Sequence, residues 1–437
     1  MHLSSTLVDL ILSLGPIMTA PTLHKWIELL GGWLFAPRRT VSGILVAAGL
    51  AGKRHHSAFY RIFASAAWSL DELGVAVLRL VLALLPEDAP VFLSLDDTLS
   101  RKVGRKIFGV GMHRDPLASS RKKAIMGRGH SWVVLSVIVE LPFTSSVYFS
   151  LPVLFRLYRQ RSSSDEEHHT RPQLAMQTLN LLACTFPDRR FHVIADSAYC
   201  GGSVAGVLPP KFDLTGRMHF KAQLFARPKP RPKGRPGRPA LRGARLPSPQ
   251  QLLANRRGRT YKLAIYGRSE KARVVTQVGM WFKVLRQRMV RIVAVEPKSA
   301  NRNPQAFFTT DHTAAATEIL RRYAMRWSIE VTFRDCKQYL GFEDSQSWTR
   351  KAVERTGPMA MVLYSLAVIW FAKRPRRLAI AIPVRPWYNL RRGTSFADIL
   401  ATLKRESVRE TLSCKRPLYR HLPKSLETVI VHCAGAA

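Results

Sequence analysis

Residues 323–337 read YAMRWSIEVTFRDCK, and this stretch decides how the rest of the chain is interpreted. Its pattern predicts one long helix, which Asp311 or Thr313 would cap at the start and Gly341 would end. At 100° per residue, a phenol, two cations and a carboxylate fall within an arc of about 60° on this helix. These four residues are Tyr323, Arg326, Glu330 and Lys337.

This polar stripe has two interpretations. A carboxylate flanked by cations can bind a metal ion through Glu330 and phosphates through Arg326 and Lys337. The plainer alternative is an amphipathic helix whose charged face is solvated. Because Met325 and Phe333 are interleaved with the polar residues, the stripe should border a packed face, where charges are usually paired or functional.

The charge of the whole chain indicates the kind of partner. The 437 residues include 68 Lys and Arg against 29 Asp and Glu, a formal charge of +39. This excess favours a polyanionic partner, because each phosphate that is neutralised releases counterions. An acidic membrane is the competing polyanion, but no window reaches the roughly 18 uninterrupted apolar residues that a membrane span needs. We therefore expect nucleic acid and no membrane.

The cysteines and the N-terminus predict a cytoplasmic protein. Five cysteines, an odd number without a Cys-x-x-Cys pair, favour reduced thiols over disulfides or a zinc site. The first residues lack a basic segment and an Ala-x-Ala cleavage site, so we expect no signal peptide.

Residues 1–89 are predicted to be helical, with a possible DNA-reading motif inside them. Residues 38–45 begin a short capped helix, and residues 53–61 begin another that is led by basic side chains. Gly49 and Gly52 separate the two. A glycine turn between short helices is typical of a helix-turn-helix in the major groove of DNA, and a plain helical hairpin is the alternative.

Two short apolar runs end on acids and predict an α/β core. Residues 91–95 form a strand that ends at Asp96-Asp97-Thr98, and residues 191–195 form a strand that ends at Asp196. Ligands gather at the carboxyl edge of open α/β sheets, although acids after buried strands are also common in plain turns. Residues 132–141 and 146–151 are predicted to be further strands, and residues 172–184 a helix.

The pattern changes at residue 212. Residues 227–245 contain eight Lys or Arg, five Pro and no acid, which predicts a flexible basic loop. Its sequence KGRPGRP resembles an AT-hook, in which Arg235 and Arg238 would enter the minor groove; a merely cationic linker is the alternative. The strands that follow predict a β-rich insertion, and they cover residues 261–265, 273–277 and 290–295.

The stripe matches a known signature. Tyr323, Arg326, Glu330 and Lys337 stand at intervals that resemble the Tyr-Arg-Glu-Lys signature of bacterial insertion-sequence transposases of the DDE type, the insertion-sequence-four superfamily. Together with the strand-end aspartates, the resemblance covers roughly residues 90–375. It implies an RNase H-like catalytic core, interrupted by the β-rich insertion and preceded by an N-terminal helical DNA-binding region.

The resemblance also implies roles for single residues. Asp97, Asp196 and Glu330 would be the catalytic acids and would bind two Mg²⁺ or Mn²⁺ ions. The family usually has its first aspartate directly before Thr, which favours Asp97 over its neighbour Asp96. Phosphodiester cleavage needs an activated water and a stabilised leaving oxygen, and two ions about 4 Å apart supply both.

Further implied contacts concern DNA. Tyr323, Arg326 and Lys337 would hold phosphates near the cut. Trp281 of the insertion would stack a flipped base, with core packing as the alternative role. The partners would be the terminal inverted repeats of an element and its target DNA, bound by a homodimer on paired ends.

The predicted division of the chain and its function follow. The segments are 1–89 (helical, DNA-binding), 90–211 (core, first part), 212–310 (basic loop and β insertion), 311–375 (core, second part) and 376–437 (basic C-terminal region). The predicted function is metal-dependent DNA strand cleavage and strand transfer in transposition. An RNase H-like nuclease that does not join strands, and a non-catalytic DNA-binding protein derived from a transposase, are the alternatives.

Overall fold

The computed structural model describes two compact units. The residues it describes are 2–115, 118–119, 123–141, 147–161, 168–230, 238–255, 257–265, 268–299, 302–374, 394–414 and 423–435. The first unit consists of Met1–Glu87, Asp97–His168 and Glu330–Ala437, and the second consists of Asp88–Asp96 and His169–Ile329.

Five helices come first along the described chain, strands with a few helices follow, and five helices come last. The helices are α1 (Ser5–Leu12), α2 (Ala20–Phe35), α3 (Val41–Ala47), α4 (Ser57–Ala64), α5 (Leu70–Leu82), α6 (Arg171–Thr185), α7 (Pro249–Asn255), α8 (Phe282–Leu285), α9 (Ala316–Met325), α10 (Trp327–Leu340), α11 (Arg350–Ala372), α12 (Phe396–Cys414) and α13 (Lys424–Ala434). The strands are β1 (Val91–Arg101), β2 (Gly111–Arg114), β3 (Met126–Glu140), β4 (Tyr148–Tyr158), β5 (Phe191–Ala195), β6 (Phe212–Arg217), β7 (Leu224–Phe225), β8 (Arg245–Leu246), β9 (Arg259–Ile265), β10 (Arg268–Met280), β11 (Met289–Pro297) and β12 (Gln305–Thr309).

Side-chain caps explain where some helices begin. The hydroxyl of Thr40 accepts a hydrogen bond from the backbone of Gly43 at the start of α3. Thr170 and Gln173 form a reciprocal capping box at the start of α6. Such caps satisfy backbone N–H groups that have no partner inside the helix, and each contributes about 1 kcal/mol.

The first unit packs its long apolar helix against an antiparallel pair of strands. β3 pairs with β2 and with β4, and it neighbours β1. A Cβ atom on Gly357 of α11 would come within 2.5 Å of the Trp132 ring of β3, so glycine permits this close approach. α11 is long and apolar enough to cross a membrane, but 89% of its apolar window is buried, and the core helix of a soluble protein passes the same test.

The second unit is built on parallel strands that continue into an antiparallel insertion. Residues Val91–Leu95 of β1 pair in parallel with β5, and β5 pairs in parallel with β6. From β6 the order continues through β12, β11 and β10 to β7 and β8, and β9 also pairs with β10. This mixed α/β architecture confirms the predicted RNase H-like fold class, and the strands predicted for the insertion are confirmed as β9, β10 and β11.

Two strand predictions need correction. β1 does not end at Asp96 but continues through both aspartates to Arg101, because Thr98, Leu99 and Ser100 are buried and the strand keeps its place in the sheet. Burial and pairing outweigh the poor strand propensity of aspartate.

β6 was not predicted, although it pairs with β5 along its first five residues. The predicted domain boundaries stay a prediction.

The long helix around the signature is also divided. α9 ends at Met325 and α10 begins at Trp327, with a turn at Arg326. Here the backbone N–H of Ile329 bonds to the carbonyl of Arg326, three residues back instead of four. The hydroxyl of Ser328 donates to the Met325 carbonyl, and such local side-chain bonds compete with the regular helix. The predicted single stripe therefore holds only within α10.

The ends of this helical region are partly as predicted. Gly341 follows α10 with a φ of +62°, a conformation that favours glycine, so the predicted stop is confirmed. The predicted caps are wrong, because α9 begins after Ala315 and has no side-chain cap. Asp311 instead forms an ion pair of 2.7 Å with Arg322.

Candidate active-site residues

In the second unit, two acids come directly after the residues through which the parallel strands β1 and β5 pair. The register of β1 and β5 pairs Leu95 with Ala195, so Asp96 and Asp196 occupy the next positions along the chain. Asp196 is half-buried and leads directly into the short 3₁₀ turn Ser197–Tyr199. Among the residues that the structure describes, none forms a hydrogen bond or an ion pair with the Asp196 carboxylate.

Asp96 is held by the arginine of the signature. Nη1 of Arg326 donates to Oδ2 of Asp96 at 2.9 Å, and only 8% of Arg326 is exposed. The guanidinium also lies 5.7 Å from the centre of the Tyr323 ring. That ring is buried and packs against Phe307 with 4.6 Å between the ring centres. The second unit therefore brings Tyr323 and Arg326 together with Asp96.

A buried thiol supports the Asp196 turn. Sγ of Cys200 donates to the backbone carbonyl of Asp196 at 3.2 Å. Burial raises the pKa of the Cys200 thiol; the Asp196 carboxylate adds to this effect, and Arg326 opposes it. Because a thiol in this state stays protonated, Cys200 is a structural residue and not a nucleophile. A Cβ atom on Gly216 of β6 would come within 2.2 Å of its sulfur, so glycine makes room for it.

In the first unit, the lysine of the signature contacts the strand that carries Asp97. Nζ of Lys337 donates to the backbone carbonyl of Leu99 at 2.7 Å, two residues beyond Asp97. It also lies 3.6 Å from Oε1 of Glu343. Asp97 itself is half-buried.

Glu330 lies in the first turn of α10 and is half-buried. Seven residues separate it from Lys337, which places the two about 20° apart on the same face of the helix. On another face, the hydroxyl of Thr332 donates to the Ser150 carbonyl of β4 at 2.9 Å. That bond and the buried Cys336 hold α10 in the first unit.

A set of bonds that the sequence did not predict fixes β1 to the segment after α10. The backbone N–H of Arg101 donates to Oε1 of Glu343 at 3.0 Å. Nζ of Lys102 donates to the carbonyls of Glu343 and Ser345 at 2.8 and 2.7 Å. Burial lowers the pKa of Lys102 to about 8, although the carboxylates of Glu343 and Asp344 act to raise it. No sequence motif predicts these contacts, because they join residues that are more than 240 positions apart.

The remaining predicted DNA contacts are scattered. Trp281 is half-buried, precedes α8 and packs edge-to-face against Phe308, with 5.2 Å between the ring centres. Arg238 is exposed, whereas Arg235 lies outside the described residues. None of these placements tests a contact with DNA.

The helix pair predicted near the N-terminus is present as α3 and α4. Gly49 and Gly52 both have positive φ, +71° and +76°, and so make the turn between them. The second helix begins at Ser57, later than predicted, and the basic residues Lys53 and Arg54 before it are exposed. Its contact with DNA stays a prediction.

The predicted metal ligands fit a hard divalent ion by their chemistry. Asp97, Asp196 and Glu330 all offer carboxylate oxygens, the ligands that Mg²⁺ and Mn²⁺ prefer. Within the described part of the chain, however, no group of three or more His, Cys, Asp or Glu residues is arranged to hold a metal ion. The described cysteines are all free.

Comparison with known families covers most of the chain. Residues 14–275 match the family model described as "DDE superfamily endonuclease". Residues 278–376 match the one described as "Archaeal putative transposase ISC1217". No curated protein matches the chain. Because the first match alone spans more than half of the sequence, the chain belongs to the DDE superfamily of endonucleases.

Proposed function

We propose that this protein is a transposase that cleaves DNA and transfers strands at the ends of an insertion sequence. Membership in the DDE superfamily supports the proposal. The choice of the insertion-sequence-four type rests on the Tyr-Arg-Glu-Lys intervals alone. The observation that carries it is the contrast between two acids that come directly after the paired residues of β1 and β5. Asp96 is paired with Arg326, whereas the Asp196 carboxylate has no partner among the described residues.

The proposed catalytic acids are Asp97, Asp196 and Glu330. They would hold two divalent ions, Mg²⁺ or Mn²⁺. Bound ions of this kind lower the pKa of a water and neutralise charge on the phosphate. Bringing the three carboxylates together is part of the proposal.

The cations of the signature have a separate role in this proposal. The ion pair with Asp96 holds the guanidinium of Arg326 in one place. The positive charge is therefore already in position when negative charge develops on the phosphate during the reaction. The bond to the Leu99 carbonyl fixes the ammonium of Lys337 in the same way. We propose that both groups and the hydroxyl of Tyr323 position phosphates near the cut.

The proposed DNA contacts extend beyond the acids. The α3–α4 pair, with its exposed basic leader, would bind the terminal repeats in the major groove. The basic loop with Arg235 and Arg238 would follow the minor groove, and Trp281 would contact a base. The protein would act as a homodimer on paired ends.

The test uses purified full-length protein and duplex DNA that carries the flanks of its own gene. Metal-dependent nicks at the element ends are expected with Mg²⁺ or Mn²⁺ and not with a chelator, and joined products are expected with target DNA. Asp97→Asn, Asp196→Asn and Glu330→Gln should abolish cutting and preserve DNA binding. Asp188→Asn is the matched control, because its carboxylate is almost fully exposed and should not affect cutting.

Each outcome decides one part of the proposal. A variant among the three that cuts at the wild-type rate removes that residue from the catalytic set. Cutting without joining identifies a nuclease instead of a transposase. DNA binding without any metal-dependent cutting leaves a non-catalytic DNA-binding protein.

A further inference from the structure

An exposed tryptophan stands out in the first unit. Trp348 is 67% exposed and lies in residues 345–351, which end at the start of α11. Single exposed apolar side chains are common on protein surfaces, but tryptophan is enriched at binding interfaces. Trp281, by contrast, packs against Phe308.

Hydrogen bonds hold this segment against residues 101–110. The backbone N–H of Phe108 donates to the Trp348 carbonyl at 2.9 Å, and Nζ of Lys102 donates to the Ser345 carbonyl at 2.7 Å. Nε2 of the buried His130 on β3 donates to the Phe108 carbonyl at 2.8 Å. The two segments, 101–110 and 345–351, are here called the loop platform. It presents the Trp348 ring on a fixed backbone.

The loop platform is basic, although Asp115 pairs with its Arg101 and Glu354 pairs with its Arg350. Its two segments contain no Asp or Glu, and their cations are Arg101, Lys102, Arg105, Lys106, Arg350 and Lys351. Arg105, Lys106 and Lys351 are exposed. The Phe108 ring has the guanidinium of Arg350 5.6 Å from its centre and that of Arg159 5.5 Å away. An exposed aromatic ring among several cations suits a nucleic acid, whose bases are flat and whose phosphates are negatively charged. It suits an apolar protein surface less well.

We infer that the loop platform binds single-stranded DNA, with an unpaired base stacked on Trp348 and the adjoining phosphates on Arg105, Lys106 and Lys351. Aromatic stacking combined with a basic surface is the usual way in which proteins bind single strands, and bases hidden in a duplex cannot stack in this manner. The inference rests on the proposed function only for the identity of the polymer, because it uses none of the proposed catalytic acids.

The position of the platform suggests which strand it binds. Arg101 lies four residues beyond Asp97 on β1, about 13 Å along an extended strand. The segment 345–351 follows α10, which begins with Glu330 in its first turn. A DNA strand separated near Asp97 would therefore reach the platform within a few nucleotides.

The experiment measures binding without catalysis. Full-length protein is titrated, in chelator, into a fluorescent oligothymidine and into a fluorescent duplex of the same length. Trp348→Ala is expected to weaken binding of the single strand by about 5- to 100-fold, the usual effect of losing one stacked base, and to change duplex binding by less than about 3-fold. Trp348→Phe, which keeps a flat ring, should stay within about 3-fold of the wild type for both.

Two further variants separate stacking from charge and from folding. Arg105→Gln with Lys106→Gln should weaken binding of the single strand and lower its salt dependence, because fewer counterions are released. Val207→Ala, at another exposed apolar side chain, is the matched control and should have no effect. Since Trp348 is exposed, its removal should leave the unfolding transition unchanged.

Unchanged single-strand binding by Trp348→Ala would overturn the inference, and so would an equal loss for strand and duplex. These outcomes are distinct from failure of the proposed function. If Trp348 is needed for single-strand binding but no cutting occurs with any metal, the inference stands and the catalytic proposal falls. If cutting is normal and Trp348 is dispensable for single-strand binding, the catalytic proposal stands and the inference about the loop platform falls.

Discussion

Nη1 of Arg326 donates to the carboxylate of Asp96 at 2.9 Å, so Asp96 is held in an ion pair directly before the proposed ligand Asp97. Both partners are largely buried, with side chains 10% and 19% exposed. Breaking such a pair leaves an uncompensated charge in a poorly solvated place. Asp96→Asn should therefore lower the free energy of unfolding by about 1–3 kcal/mol, measured by urea titration.

The same variant also tests the choice of catalytic aspartate. Asp96→Asn should retain measurable metal-dependent cutting, whereas Asp97→Asn should retain none. In a double-mutant cycle with Arg326→Gln, the double variant should lose much less stability than the sum of the two single variants, because both remove the same interaction. If Asp96→Asn abolished cutting without any loss of stability, Asp96 would replace Asp97 as the proposed ligand.

A second prediction concerns Lys337, whose ammonium bonds to the Leu99 carbonyl of β1. Lys337→Met keeps the unbranched apolar part of the side chain but removes the ammonium group and its charge-assisted bond. We expect the free energy of unfolding to fall by about 1–2 kcal/mol, because a bond from a charged donor is worth more than a neutral one. Cutting should fall with it, since β1 carries Asp97.

The control for this variant is Lys298→Met, at an exposed lysine for which no loss of stability is expected. A lysine that only bound phosphates would give a different result. In that case Lys337→Met would weaken DNA binding and leave the unfolding transition unchanged, and the structural role given to this bond would be wrong.

The sequence predicted those elements whose signal is local. The apolar runs at residues 91–95 and 191–195 are confirmed as strand residues, because short, mostly buried apolar runs that are bounded by turn residues favour strands. Gly341 is confirmed as the end of α10, because its positive φ is a local requirement. The RNase H-like class followed from the order of such elements together with the signature.

Features that depend on distant partners could not be predicted in this way. β1 runs on through Asp96 and Asp97 because of its place in the sheet, which no local propensity reveals. The break at Arg326 coincides with a side-chain bond from Ser328 and with the pair to Asp96, 230 residues away in sequence. The contacts of Glu343 with Arg101 likewise join segments that are separated by 242 residues.

A third prediction concerns α4, the helix proposed to read DNA, and the arginine of α11 that holds its end. Arg355 of α11 is buried. Its guanidinium donates to the carbonyls of Ala66 at 2.8 Å and of Trp68, just beyond the end of α4. It also lies 4.3 Å from the centre of the Trp68 ring. Arg355→Lys cannot span both carbonyls, because lysine presents one compact charge instead of a planar fork. We expect the free energy of unfolding to fall by about 2–3 kcal/mol in a urea titration.

Duplex binding should weaken as well if α4 contacts DNA, because the carbonyls that Arg355 holds lie directly after that helix. Arg350→Lys, on the same helix but with an exposed side chain, is the matched control and should leave stability unchanged. Normal stability in Arg355→Lys would show that lysine or water satisfies those carbonyls equally well.

The fourth prediction is a dependence of stability on acid pH. Burial lowers the pKa of His130 from about 6.5 to about 4; Lys102 and His113 add to this effect, and the bond to the Phe108 carbonyl opposes it. Between these two values the unfolded chain binds a proton that the folded chain excludes. Stability should therefore fall as the pH decreases from about 6.5 to about 4, by about 3 kcal/mol for this one residue.

His130→Gln keeps a donor for the Phe108 carbonyl but does not titrate, so the variant should lose this part of the acid dependence. The measurement is the difference in free energy of unfolding between wild type and variant at several pH values from 7 to 4. Burial also lowers the pKa of His192 to about 4, and the charge of Arg322 adds to this effect. Since His192 is present in both proteins, its contribution cancels in the difference. A difference that stays constant with pH would show that His130 accepts its proton in the folded state as readily as in the unfolded one.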